Sequence, residues 1–298
     1  LAVLFKVTTV WGFGKMMDLL IIILSLVLAP ICVGLLSGAD RILTAALQSR
    51  KGPPLLQPFY DMFKLLGKEV MLTNPWQSFC AVLYLCFSAT SLALFYIGGD
   101  LLMIFFVQAA GVMFFIMAAI ACPSPYSQVG AQRELIQVLA YEPLVLLAII
   151  GFYLASGSFA VSEIYAAQTP MIYQLPLMVI VFGYVLTVKL RKSPFDVSAS
   201  HHAHQEIVRG VYTEFSGRNL FLVELAHWYE IALFLSMLGL LWATSIFGIL
   251  AIIAVAYALE VLIDNITSRM TWSWLLSNVW GVGMLLAIVN ILWLGMRQ

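Results

Sequence analysis

The sequence predicts an all-α, polytopic integral membrane protein, with about eight transmembrane helices and one amphipathic helix at the membrane interface. Three observations carry this. Hydrophobic residues make up 62% of the 298 and charged residues only 10%, where soluble domains hold about 25% charged. The apolar residues fall into runs of roughly 20, the length that crosses the hydrocarbon layer as a helix. No alternation of the kind a membrane barrel needs is visible, and a helix satisfies its backbone hydrogen bonds in lipid within one segment.

The first residues, 1–18, lack a small-residue cleavage site, so they read as a tail or as part of the first span. The eight apolar runs lie at about 17–38, 77–97, 100–121, 133–155, 172–190, 219–243, 246–263 and 272–295. Polar segments fall at about 39–76, 122–132, 191–218 and 264–271, and the whole chain, 1–298, reads as a single membrane domain.

Within 39–76, Pro53-Pro54 stiffens the approach to a stretch from Leu55 to Val70. There Leu55, Leu56, Phe59, Met62, Phe63, Leu65, Leu66 and Val70 alternate with Gln57, Asp61, Lys64 and Lys68, the spacing of a helix lying in the interface. Asp100, after Gly98-Gly99, reads as a turn residue, and Pro143 as the site of a kink. Cys32, Cys80, Cys86 and Cys122 sit in or beside apolar runs without a C-x-x-C, so they read as small apolar residues and not as iron–sulfur ligands.

Under this eight-span layout twelve of the 15 Lys and Arg residues fall on one side, leaving only Lys6, Lys15 and Arg297 on the other. The positive-inside rule then puts the polar segments in the cytoplasm and both termini outside.

Acids within spans are costly, by about 2.5–3.5 kcal/mol at the centre on insertion scales, and mark functional positions. Glu142 follows Arg133 by nine positions, roughly 13 Å along a helix, which places it near mid-membrane. Glu224, His227 and Glu230 follow one another at steps of three on the sixth span, a ladder suited to passing a proton inward. Glu260 and Asp264, four apart, share a face of the seventh span, and carboxyls that meet tend to share a proton. Ion pairing or snorkelling to the surface is the alternative for each, and most plainly for Glu260 and Asp264, near Arg269.

The longest polar interval, Lys189 to Gly217, holds Lys189, Arg191, Lys192, Asp196, Glu206 and Arg209 with three histidines, His201, His202 and His204. It is where charge or a partner meets the membrane. His201 and His204 share a helical spacing, but a zinc site shows a fuller ligand set. No metal is assigned, and the cluster reads as a partner surface or a proton-accepting patch. There is no Ser/His/Asp set, Gly-rich phosphate loop or nucleic-acid patch.

These residues also resemble a known family. Arg50-Lys51-Gly52-Pro53, Leu56-Gln57, Asp61 and Lys64-Leu65-Leu66-Gly67-Lys68-Glu69 are similar to the R-x-G-P…Q…D…K-L-x-K-E stretch of the H-type membrane subunit, which forms the quinone chamber of respiratory complex I. Pro194-Phe195-Asp196 resembles its P-F-D motif and Glu214-Phe215-Ser216-Gly217 its E-Y-S-G motif. Gly130-Ala131, Arg133-Glu134 and Glu142-Pro143 resemble the G-A-x-R-E…E-P pattern of the branch found in membrane-bound energy-converting [NiFe] hydrogenases. Two departures favour that branch over a quinone-binding member: Leu55-Leu56-Gln57 follows the G-P almost at once, and the run from His201 to Glu206 looks like the ferredoxin-linked, Ech-type hydrogenase.

The resemblance implies a non-catalytic subunit with no cofactor of its own, in the cytoplasmic membrane of a prokaryote. Its partners would be the hydrogenase large and small subunits, an iron–sulfur subunit and an antiporter-like membrane subunit. Those partners would hold the [NiFe] centre and the [4Fe-4S] clusters and exchange electrons with ferredoxin. Asp196, Glu206 and Glu214 would lie in the coupling loop, and Glu142 with the acids of spans six and seven would lead into an H+ or Na+ path. A subunit of a quinone- or other acceptor-linked complex I relative is the second reading, and a stand-alone ion transporter the third.

Overall fold

The computed structural model describes residues 14–71, 74–199 and 209–297. The readings that fall on 1–13, and on His201, His202, His204 and Glu206, lie outside the described residues. Among the described residues every regular element is helical: α1 (Gly14–Leu47), α2 (Gln57–Leu66), α3 (Pro75–Ile97), α4 (Leu101–Ile120), α5 (Pro125–Ser156), α6 (Val161–Ala166), α7 (Met178–Lys189), α8 (Gly217–Gly239), α9 (Ile246–Ile266), α10 (Trp272–Asn278) and α11 (Leu285–Gly295). A π turn, Val279–Met284, joins α10 to α11, so Trp272–Gly295 crosses as one span.

Local sequence explains the boundaries. Asn74 accepts the Trp76 N–H and Asp100 those of Leu102 and Met103, capping α3 and α4, while Ser245 accepts from Gly248 at the start of α9. Asp100, read from sequence as a turn residue, is also the N-cap of α4. Gly98 and Gly157 close α3 and α5 in the left-handed conformation. α5 begins eight residues before its apolar run because Pro125 starts a helix in the polar segment, and it runs through Pro143.

Among the described residues, seven helices are long and apolar enough to span. The fifth predicted span, 172–190, is corrected in its helix, which is only Met178–Lys189, 12 residues, about 18 Å long against a hydrocarbon core of roughly 30 Å. Pro170 and Pro176 break its first part into a 3-10 turn, Met171–Tyr173, and a non-helical stretch. Non-helical backbone is tolerated at such depth only inside protein. Here Asn290 of α11, buried, accepts the Leu177 N–H at 2.8 Å and donates to the Gln174 carbonyl at 3.1 Å.

α8 is the axis of the bundle. Of its apolar window 67% is buried inside the protein, against 28% for α1 and for the last span, and α1, α2, α3, α7 and α9 all pack on it. α2 meets it through Phe59, whose ring stands edge-on to Trp228 at 5.7 Å. The amphipathic prediction for α2 needs refining: Met62 is buried, but Phe63 and Tyr60 face outward, so the helix has one apolar side on the bundle and another turned away from it.

The polar segments gather at one end. Met270 N–H bonds the Pro194 carbonyl, Met71 N–H bonds Ser216, Gln77 bonds the Glu214 carbonyl and Gln48 bonds Asn265.

Candidate functional site

The polar composition after α7 predicts a surface loop, yet residues 190–199 are all buried. Buried charge has to be paired, and here each cation finds an acid on a different helix. Lys189 Nζ lies 2.5 Å from Glu230 of α8, Arg191 is 3.5 Å from Glu134 of α5, and Lys192 Nζ is 2.9 Å from Asp40 of α1. Arg191 takes a positive φ, and its guanidinium rests over the Tyr212 ring. Burial works against the Arg191 charge, but Tyr212 and the Glu134 carboxylate beside it hold its pKa above the ordinary arginine value. Burial instead pushes the Tyr212 phenol up, because it disfavours the phenolate.

Glu230 is the most densely bonded acid described. Its Oε1 accepts from Lys189 and from Gln108 Nε2 at 3.0 Å. Its Oε2 accepts from Tyr84 Oη at 3.0 Å and lies 3.4 Å from His227 Nδ1. Gln108 in turn accepts from Ser91 at 2.7 Å. Lys189 also sits 3.7 Å from the centre of the Tyr141 ring, a cation–π contact. Glu230, His227, Lys189, Gln108 and Tyr84 are all less than 6% exposed.

A cavity of about 640 Å³ opens beside this network, between α1, α2, α8, α9 and the segment that follows α7. His227 lines it, and so joins the cavity to Glu230. Glu224 and Asp264 line it too, with Arg50, Asp61, Lys64, Lys68 and Arg209 from the predicted set. On the far side, Gln108 shares a narrow groove with Tyr141 and half-buried Glu142. Polar groups therefore run from the cavity through His227, Glu230 and Gln108 to the groove of Glu142.

The sequence-predicted residues divide. His227 and Glu230 meet as their spacing predicts, but Glu224 is held by Arg209 at 2.5 Å. Glu260 and Asp264 share no hydrogen bond described here. Asp264 accepts the Ser193 N–H at 2.9 Å, and Glu260 is buried beside Gly183. Arg269, predicted as their neighbour, lies 3.6 Å from Asp196 instead. Asp196 is 1% exposed, so it is enclosed by the bundle and is no open contact surface. Gln57 donates to Asp61, which also pairs with Arg41.

Two of the motifs meet by close backbone approach. A Cβ on Gly217 would fall 2.7 Å from the Glu69 carbonyl oxygen, so the E-F-S-G turn sits directly on Lys68-Glu69. A Cβ on Gly130 would fall 2.3 Å from Val211 N, so α5 rests on the 210–212 turn.

Tyr84, Gln108 and Asp40 are the site residues missed by reasoning from sequence, and Glu134 entered only as part of the Arg133-Glu134 motif. Gln108 carried a signal, as the sole polar side chain in the apolar run of α4. Tyr84 carried none, since a tyrosine in a span is ordinary.

A family model described as NADH dehydrogenase matches residues 19–295. Hydrogenase-4 component C of Escherichia coli (strain K12) is 31% identical over 209 residues, 64% of this chain and 64% of that protein. Formate hydrogenlyase subunit 4 of the same organism is 29% identical over 202 residues, 61% of this chain and 64% of that protein. The H subunit of NADH-quinone oxidoreductase from Carboxydothermus hydrogenoformans is 28% identical over 230 residues, 70% of this chain and 63% of that protein. The matches span a little under two thirds of the length of these relatives. In fold the chain is similar to one in the membrane-bound sulfane sulfur reductase, an archaeal respiratory membrane complex, with a TM-score of 0.81 at 24% identity, covering 93% of this chain and 99% of that one. The family match over nearly the whole length decides it: this chain belongs to the NADH dehydrogenase family of membrane subunits, of H type.

Proposed function

We propose that this chain is the membrane anchor and coupling subunit of an energy-converting [NiFe] hydrogenase of Ech type, linking ferredoxin and hydrogen redox chemistry to H+ or Na+ movement. It contributes no catalytic centre and no cofactor. The [NiFe] centre and [4Fe-4S] clusters belong to partners: the hydrogenase large and small subunits and an iron–sulfur subunit, with an antiporter-like subunit beside it in the membrane. The membrane is the cytoplasmic membrane of a prokaryote, with the polar end inside and both ends of the described bundle outside.

Two of its relatives bear hydrogenase and formate hydrogenlyase names, which supports the hydrogenase branch. The observation that carries the coupling role is His227, which lines the cavity and lies 3.4 Å from Glu230. A group that reaches both an open cavity and a buried carboxyl is placed to relay a proton between them. The acid–cation pairs around the end of α7 give the physical means of coupling. A change of charge at the polar end alters which pairs persist, and two states of those pairs would bind the ion differently.

The test is to purify the chain with its accompanying subunits, identify them, and reconstitute the complex in vesicles. Hydrogen turnover with ferredoxin should drive ion movement in vesicles that contain it. Copurification with quinone-reducing partners, or inhibition by quinone analogues, would support the second reading, which its NADH-quinone oxidoreductase relative favours. Active ion transport by this chain alone would overturn both.

A further inference from the structure

The contact between α7 and α9 holds a carboxyl that the relay does not use. Glu260 of α9 is 2% exposed, and its Oε2 has no hydrogen-bond partner. The charged neighbours that act on it are Lys192 and Asp264. Lys192 is already engaged by Asp40 at 2.9 Å, and Asp264 accepts the Ser193 N–H. None of the described ion pairs includes Glu260. Asp40 and Asp264 are partly exposed and line the cavity. Three carboxyls therefore gather near one ammonium, and the buried one goes without. A buried charge needs a partner, so Glu260 carries a positive charge of its own.

The groups around it decide between a proton and a metal cation. Thr187 of α7 faces the carboxyl, but its one hydroxyl proton goes to the Gly183 carbonyl at 2.8 Å. What Thr187 offers Glu260 is then a lone pair. A proton can bridge one carboxyl oxygen to that lone pair, yet it leaves Oε2 bare. A cation seated on both carboxyl oxygens and the hydroxyl satisfies all three. Space for it lies over Gly183, where a Cβ would meet only Glu260 Oε1, at 3.9 Å. Oxygen ligands of this kind suit a hard cation. No group of three or more His, Cys, Asp or Glu among the described residues could hold a metal, so a divalent ion has no cage here. One unmatched negative charge takes one monovalent ion.

We propose that Glu260 and Thr187 form a sodium site between α7 and α9, entered from the cavity past Asp264. Asp264 lies one turn, about 6 Å, nearer the end of the helix, and an ion in the cavity meets it first. The site deepens the coupling reading by naming the ion, and binding tests it apart from that reading.

The experiment uses the full chain with the subunits that accompany it, in detergent at fixed pH. Equilibrium binding of radioactive sodium counts the ions held per complex. The Glu260→Gln complex should hold one fewer than wild type. Infrared difference spectra on exchanging sodium for potassium should show carboxylate bands that vanish in Glu260→Gln. Thr187→Val should weaken the site about tenfold, the scale of a lost group around a bound ion, and Thr187→Ser should restore it. An unchanged sodium count in Glu260→Gln overturns the proposal. A protonated carboxyl band that sodium does not move makes Glu260 a proton carrier only, and overturns it also. So does potassium held as tightly as sodium. If Glu260→Gln disturbs assembly, the two Thr187 variants carry the same expectations. Sodium bound here without ion movement in vesicles leaves the site standing and the coupling reading fallen. Ion movement with no sodium bound here does the reverse.

Discussion

Lys189 at the end of α7 and Glu230 at the middle of α8 form an ion pair of 2.5 Å, with side chains 5% and 4% exposed. It fastens the short seventh helix to the axis of the bundle and lies where the cavity meets the interior.

Removing one partner of this pair leaves the other charge buried alone. Glu230→Gln is expected to destabilise the protein by about 3–5 kcal/mol and to abolish ion movement. Lys189→Met with Glu230→Gln should recover the unfolding temperature in detergent while ion movement stays lost. Recovery of both would show the pair to be purely structural.

His227 joins the cavity to Glu230. His227→Gln preserves a hydrogen-bonding side chain but not a proton carrier. It is expected to slow ion translocation by on the order of a hundredfold, the scale of a lost proton-transfer group, with assembly intact. A vesicle assay with a pH-sensitive dye measures it, and wild-type rates would remove His227 from the path.

Glu142 is half-buried and shares its groove with Gln108. With no ion pair described at this carboxylate, Glu142→Gln should leave the stability within about 0.5 kcal/mol of wild type. Coupling should be lost all the same. Unchanged ion movement per hydrogen formed, measured in the same vesicles, would end the path before this residue.

Gly217→Ala places a Cβ 2.7 Å from the Glu69 carbonyl at a φ of +48°. The strain is expected to cost about 1–3 kcal/mol. Gly130→Ala pushes α5 off the 210–212 turn and should cost a similar amount by overpacking, about 1–3 kcal/mol. Thermal unfolding in detergent reads both, and Gly281→Ala, which meets nothing within 4 Å, is the control.

Asn290→Leu removes both hydrogen bonds to the non-helical stretch before α7. These groups are partly buried, so the loss should cost no more than the about 1–3 kcal/mol of a fully buried unpaired group. Amide exchange at Leu177 should rise more than at the centre of α7, and uniform exchange along α7 would contradict the bridging role.

Much of the fold was legible because a membrane span is a local property. Hydrophobic length and the turn at Gly98-Gly99-Asp100 are read along the chain. The helix within 172–190 was drawn too long because hydropathy does not register Pro176, nor the side chain of Asn290 from 114 positions away that makes a break tolerable. The interval after α7 was misread as surface for the same reason: a polar stretch looks solvent-exposed until its partners are known.

By itself the sequence determined the class, the membrane setting and the motifs, because burial in lipid restricts which residues a span can hold. Tertiary structure decided which acid meets which cation. Lys189, Arg191 and Lys192 lie within four positions, yet they pair with Glu230, Glu134 and Asp40 on three separate helices. Pairing depends on helix packing and on where burial removes water, and both are set by contacts between residues far apart in the chain. The same packing creates the cavity, whose lining comes from four helices and the segments between them and which no single stretch encodes.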